Sequence, residues 1–435
     1  MDLIIAFAVF MTAMIFSLST GVTMILPLAA GCIAFALVAL RRGFHLSEIV
    51  RMGLHGMKES SVVVVVMVLI GSLTSLWRQT GTIAYFTYYG IQLIPPQIFI
   101  LAAFVLTALM SYALGTSFGV AGTIGVILMT IARASGVSAV LTGGAIMSGL
   151  YVGDRGSPAS SSASLVANET CTEVSGNIRL MLRCSLLPLG ACIALYALLS
   201  LYSRPGSIDL ALLDGFAREF NLNLWCLLPT AALLIPAFAG VKIRNVMLAN
   251  IVLSIALTVV LQGAALKDVL RMMLVGYAPQ SAALLPILSG GGILSMLQIV
   301  VILLLSSGCA GIFGGTRMLS TIENALRSLC RRIGRFPAML ICALGVCMVF
   351  CNQTIGVIMC RQCMDGNYPD TRKGRIDLML DIENSVVPLC GLVPWCIACS
   401  VPLGMLGLDA RSLPLAFYLY LLPLYWLLRR GNSGK

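Results

Sequence analysis

Little of this sequence is charged: Asp, Glu, Lys and Arg make up 10% of 435 residues, against 59% apolar, and the mean hydropathy is +0.98. Soluble domains carry roughly 25% charged residues, so a water-soluble globule is excluded. Histidine is nearly absent, with His45 and His55 the two copies, and there is no nucleophile elbow or metal-ligand constellation. That leaves an enzyme little to catalyse with, and no cofactor is expected. Aromatic residues are 7% and do not interleave with basic ones. The net charge of +11 therefore does not read as a nucleic-acid surface.

What the chain has instead is long uncharged stretches. Residues 3–40, 79–132 and 272–316 contain no charge, and shorter windows cover 60–77, 134–153, 184–203, 220–241, 245–266, 336–360, 384–408 and 412–428. A bilayer core takes roughly 20 helical residues, so these windows predict about 10 to 13 spans, some of them broken. Nothing alternates with period two, and backbone groups in lipid must pair within the segment, so the spans are expected to be helices rather than barrel strands. The fold class is thus an all-α polytopic membrane protein, expected in a cell membrane.

Met1-Asp2 leads into the first apolar stretch without a basic segment, so that stretch reads as a true span rather than a cleavable signal. The basic residues cluster between spans: Arg41-Arg42 with Arg51 and Lys58, residues 317–335, then Arg429-Arg430. Such clusters stay cytoplasmic, against anionic headgroups, which also puts the N-terminus inside. Fifteen cysteines are present, including Cys360/Cys363 and Cys396/Cys399 at CxxC spacing. Most, Cys32 among them, lie in apolar windows and are expected to pack as small hydrophobes. Zinc needs four ligands in reach, and the histidines are distant.

An internal repeat divides the chain. Residues 46–76 match 266–296 at a constant offset of 220, pairing Glu48 with Asp268, Arg51 with Arg271, Gly56 with Gly276, Gly71 with Gly291 and Ser75 with Ser295. Thr-Ile-Gly-Val-Ile occurs at 123–127 and again at 354–358, an offset of 231. Residues 1–203 then form a first transmembrane repeat, 204–220 a linker, and 221–435 a second repeat carrying the basic insertion at 317–335. If each half has an odd number of spans, the copies insert with opposite orientation, as in many secondary transporters.

Polar residues interrupt the apolar helices at paired places. Residues 115–119 (Gly-Thr-Ser-Phe-Gly) have a partner in Asn352-Gln353-Thr354, and both suit unwound helix whose carbonyls and hydroxyls coordinate a cation. Residues 151–164 hold Asp154 and Arg155 among glycines and hydroxyls, with a counterpart at 381–388. On a helix Asp377, Asp381 and Asn384 share one face, with Glu383 pointing elsewhere. An acidic side chain at membrane depth marks an ion or proton path.

With these motifs in view, the chain resembles the NhaC-type sodium/proton antiporter family. The likeness runs from Gly71 through Trp77, Thr80-Gly81-Thr82-Ile83, Tyr88-Tyr89-Gly90 and Gly115-Thr116-Ser117-Phe118-Gly119 to Gly122-Thr123-Ile124-Gly125. It continues with Ser148-Gly149-Leu150-Tyr151-Val152-Gly153-Asp154-Arg155-Gly156-Ser157-Pro158, and with Glu383-Asn384-Ser385 and Leu392-Val393-Pro394-Trp395 in the second half. The resemblance implies exchange of sodium for protons, or coupled movement of a small organic solute in relatives. The chain departs from the family pattern at Ser161 and Asn384, where acids are usual, and at Ser164 and Cys396, where amides are usual. The negative charge of the site is thereby reduced.

The expected function is a cation-coupled secondary antiporter working by alternating access. In it Asp154 and Glu383 take the proton or the monovalent cation, sodium being the metal ion such a set suits. Thr116, Ser117, Ser157, Ser161, Asn352, Thr354 and Asn384 supply neutral oxygens. Arg155 is either a counter-charge for Asp154 or an anchor for a substrate carboxylate. The alternative keeps the fold and changes the cargo to a small organic acid or amino acid. A receptor or assembly factor would need an extramembrane domain or a degraded repeat, and the sequence shows neither. A homo-oligomer is compatible with all of this.

Overall fold

The computed structural model describes residues 2–20, 23–203, 210–239, 241–316 and 319–432. Every regular element among them is helical; the one extended contact is an isolated bridge between Tyr277 and Gly290. Five helices are long and apolar enough to cross a bilayer: Pro96–Leu114, Ser117–Ala134, Val174–Tyr202, Ile243–Gln262 and Ile293–Gly315. A sixth forms if Leu46–Lys58 and Val63–Gln79, bent by 45°, count as one span. Shorter apolar helices, including Ile25–Arg41 and Arg335–Phe350, account for further uncharged windows. The chain is an all-α polytopic membrane protein. Its spans are cut more often than charge reveals, because a glycine or a polar cap ends a helix without adding charge.

The outer faces carry large exposed apolar side chains such as Leu186, Leu187, Val252 and Val260, the surface a lipid solvent requires. Inside, helices approach through glycine. A Cβ on Gly153 would lie 1.9 Å from the Ser111 carbonyl carbon, and one on Gly149 would lie 2.7 Å from Thr107 Cβ. Ala139–Gly156 is therefore laid directly on Phe99–Leu114 by a Gly-xxx-Gly face. Gly56 and Gly311 do the same between Leu46–Glu59 and Leu297–Gly315.

The matched segments 46–76 and 266–296 lie against each other. Gly292 donates its N–H to the Gly71 carbonyl at 2.8 Å, and Ser75 Oγ donates to the Met272 carbonyl at 2.7 Å. They differ in continuity: Ser61–Gln79 is one helix, whereas the matched 281–296 is helical only over Leu285–Leu288 and Ile293–Met296, with Gly290, Gly291 and Gly292 at positive φ between them. Of the linker, 204–209 lies outside the described residues, and Leu210–Glu219 is a helix. Of the basic insertion, 317–318 lie outside them, and Leu319–Ile333 is a helix. Cys32 is not a packing thiol as expected: it is disulfide-bonded to Cys309, joining Ile25–Arg41 to Leu297–Gly315. Two other pairs come close as thiols, Cys342 with Cys360 at 3.8 Å and Cys347 with Cys390 at 3.1 Å. Among the described residues no cluster of His, Cys, Asp or Glu is arranged to hold a metal ion.

Candidate functional site

Two helix breaks of the same backbone design face one cavity. Phe99–Leu114 ends on Gly115 at φ +65, Thr116 turns extended (φ −145, ψ 122), and its hydroxyl accepts from the Gly119 N–H to start the next helix. Arg335–Phe350 ends on Cys351 at φ +54, Asn352 turns extended (φ −140, ψ 125), and its side-chain oxygen caps the Thr354 and Ile355 N–H groups. In both, a left-handed residue stops one helix and a polar N-cap starts the next. The Cys342–Cys360 contact shows that the helices flanking the second break fold back on each other, with Asn352 at the tip. The equivalent positions are 115 with 351 and 116 with 352, an offset of 236. The repeated Thr-Ile-Gly-Val-Ile is not at equivalent places: its first copy falls in the π-turn Ala121–Gly125, its second in the first turn after the break.

The cavity has a volume of about 530 Å³. Its wall includes Thr116 and Ser117 from the first break, Asn352, Gln353 and Thr354 from the second, and Asp154, Ser161 and Ser162. Asp154 is in the last turn of Ala139–Gly156 and 5% exposed. Its carboxylate accepts from Gln353 Nε2 at 2.9 Å and from Ser162 Oγ at 3.3 Å, and Gln353 also donates to Ser162 Oγ at 2.9 Å. The N–H and hydroxyl of Ser117 face the same carboxylate. Ser160 Oγ bonds the Asp154 main-chain carbonyl, which pins the loop that follows. A carboxylate, an amide and hydroxyls from around both helix breaks thus converge on one partly enclosed point, an oxygen-rich set suited to a hard cation.

Six expected site residues line this cavity: Thr116, Ser117, Asp154, Ser161, Asn352 and Thr354. The other four lie behind it. Ser157 is fully buried and its hydroxyl accepts from the Ala159 N–H at 3.1 Å. Arg155, 1% exposed, donates from Nε to the Glu383 carbonyl at 3.2 Å, from Nη2 to Asn384 Oδ1 at 2.6 Å, and from Nη1 to Ser185 Oγ at 2.6 Å. It forms no ion pair with Asp154 and does not reach the cavity wall; it clamps the turn after Arg372–Glu383. Glu383 is fully buried, and neither carboxyl oxygen has a hydrogen-bond partner among the described residues. An unpartnered buried carboxylate is costly, so this group asks for a proton or a cation. Asp377 and Asp381 do share a face: both pair with Arg430 at 3.0 Å, and Asp381 also accepts from Tyr368 and Trp426.

Gln353, named in the sequence only as part of the second break, and Ser162, within 151–164, were given no ligand role there; both sit beside residues that were. A second cavity, of about 600 Å³, contains Arg78 and Arg133. These are the lone charges between the windows 60–77, 79–132 and 134–153, a signal that isolated charge in an apolar run supplies. The two cavities follow the same helices. Val63 and Val66 line the first and Thr74 and Arg78 the second; Ile397 and Ala398 line the first and Ser400 and Leu403 the second. Val63 and Arg78 are on one helix, about 22 Å apart at 1.5 Å per residue. Between the cavities Ile70 and Met405 close on Gly122, where a Cβ would lie 2.8 Å from Ile70 Cγ2 and 3.5 Å from Met405 Sδ.

The known proteins similar to this chain are antiporters. It is 25% identical over 434 residues to the malate-2H(+)/Na(+)-lactate antiporter of Bacillus subtilis, covering 98% of this chain and 91% of that one. It is 25% identical over 408 residues to the Na(+)/H(+) antiporter NhaC of the same organism, covering 92% and 90%. To the arginine/ornithine antiporter ArcD of Halobacterium salinarum it is 26% identical over 288 residues, covering 64% and 59%. The model of the Na+/H+ antiporter family matches residues 1–174 and 149–428, nearly the whole length over which the two broken helices, Asp154 and Glu383 are distributed, and the chain belongs to that family.

Proposed function

We propose that the protein exchanges sodium for protons by alternating access, with Asp154 as the group that takes either ion. The observation that carries this reading is Asp154 on the wall of a cavity shared by both helix breaks, its carboxylate held by Gln353 of the second half and Ser162 of the first. Charge at this depth is tolerated where it serves an ion path. Glu383 is the second titrating group, buried beside the guanidinium of Arg155, whose own acceptors are all neutral. With Asn384 in place of the acid usual in the family, Arg155 stays un-neutralised by its direct contacts and offsets Glu383 instead. The first cavity lies near the end of Ser61–Gln79 that follows Arg51 and Lys58, the cytoplasmic side by the distribution of basic residues. The second lies near the opposite end.

The halves are read as inverted repeats related by a two-fold axis in the membrane plane. Matched residues Gly71 and Gly291 lie in contacting segments, with a Cβ on Gly71 2.8 Å from the Gly292 carbonyl oxygen and one on Gly291 2.6 Å from Ser75 N. Equivalent residues meet across an interface near a two-fold axis. A second reading, a small organic acid or amino acid as cargo, is favoured by the size of the first cavity and by Lys242 on its rim. The test is purified protein in proteoliposomes under an imposed sodium gradient, with internal pH followed by a trapped dye. Sodium-driven alkalinisation that D154N abolishes is expected. Wild-type vesicles that ignore sodium, while exchanging lactate, malate or arginine, would overturn the ion reading in favour of the second.

A further inference from the structure

The second cavity is electrostatically the reverse of the first. Arg78 is 7% exposed; Nη1 donates to the Thr74 carbonyl at 2.9 Å, and Nε has no partner among the described residues. Arg133 spends one nitrogen, Nη2, on the carbonyls of Leu406 and Gly407 at 2.8 and 2.9 Å. Both guanidiniums belong to the wall of this one cavity. Asp409, the one acid on the wall, is already committed: Arg411 holds it at 2.6 Å and keeps its carboxyl below the usual range. Ser400 Oγ, on the same wall, is a second buried group without a partner among the described residues.

Two like charges on one cavity wall, one of them buried and neither paired with the wall's single acid, are expensive. A guanidinium with free N–H groups matches a carboxylate in shape and charge. The remaining wall is mixed: Met296, Ile299, Ile302, Leu403 and Met405 are apolar, Thr74, Ser289, Ser295 and Gln298 are polar and uncharged, and a cavity of about 600 Å³ exceeds what a bare inorganic anion fills. We propose that this cavity is a binding site for a small organic carboxylate, its anionic group on Arg78 and Arg133, its hydroxyl or second carboxyl on Ser400, and its carbon skeleton against the methionine and isoleucine wall. The proposal rests on the transporter reading and adds to it an anionic substrate, entering from the end opposite the Asp154 cavity.

The test is equilibrium binding to the full-length protein in lipid nanodiscs, in sodium-free buffer, with radiolabelled succinate and L-lactate as N-methyl-D-glucamine salts. Saturable binding is expected in the wild type, weakened tenfold or more in R78Q and in R133Q, less in R78K, and several-fold in S400A, which keeps every charge. D154N is expected to bind the carboxylates as the wild type does while losing binding of radiolabelled sodium. Failure of sodium binding in the wild type therefore tells against the ion reading alone. Absence of saturable carboxylate binding in the wild type, undiminished binding in R78Q, R133Q and S400A, or equal displacement by chloride would each overturn the site.

Discussion

Gln353 is the residue through which the second half touches the Asp154 carboxylate, at 2.9 Å, and the same amide nitrogen orders Ser162. Hydrogen bonds to a charged group are worth about 1.5–3 kcal/mol, so Gln353→Ala is expected to weaken sodium binding by roughly tenfold or more. Titration of sodium-driven alkalinisation against sodium concentration checks this, since a merely structural loss would lower the maximal rate without moving the half-saturation. Glu383 makes the opposite argument. Its buried oxygens have no partner among the described residues, so Glu383→Gln removes a charge without breaking a hydrogen bond. It is expected to leave the melting temperature unchanged or raise it, while exchange falls. A fall in both would mean that Glu383 is a structural acid whose pairing with the Arg155 charge holds the fold.

At the scale of elements, each helix break is a stop followed by a cap, and the two stops differ in cost. Gly115 takes φ +65 freely, whereas Cys351 takes φ +54 with a side chain. A left-handed L-residue costs about 1–2 kcal/mol, so Cys351→Gly is expected to stabilise the protein by about 1 kcal/mol, seen as a higher melting temperature in detergent. Transport retained in that variant would show that the bend, not the thiol, is what the site needs. Packing glycines behave in the reverse way. A Cβ on Gly153 would lie 1.9 Å from the Ser111 carbonyl carbon, and such overpacking costs typically about 1–3 kcal/mol. Gly153→Ala is therefore expected to lower stability and yield, and to displace Asp154 one residue on. Both breaks were legible in the sequence because small and polar residues stand out in apolar helix. Their register was not, since Thr-Ile-Gly-Val-Ile falls at different places relative to the two breaks, and what the breaks share, Thr116 and Asn352 as extended N-caps, is a likeness of geometry between different residue types.

Across the whole molecule, uncharged windows are enough to predict spans, and the match of 46–76 with 266–296 marks two related segments, while their contact is visible only in the fold. Three things were missed in the sequence. The unwinding at Gly290–Gly292 has no counterpart in the first copy, the Cys32–Cys309 bond joins residues 277 apart, and Arg155 turns away from the cavity because its acceptors lie on other helices. The last two are not local properties of the chain, whereas the first is written in three consecutive glycines. The arrangement of two cavities along shared helices leads to the last prediction. The wall between them is thin where Ile70 and Met405 close on Gly122, inside the π-turn Ala121–Gly125, a wide turn of the kind found at functional sites. A transporter that opens its site alternately to each end must change the packing of this wall, and a bulky residue there would fill the room in which it moves. Gly122→Leu is expected to abolish sodium-driven alkalinisation in proteoliposomes while radiolabelled sodium still binds from the end where the first cavity lies. If exchange persists at the wild-type rate, the passage between the two compartments runs elsewhere and the cavities are not two ends of one path.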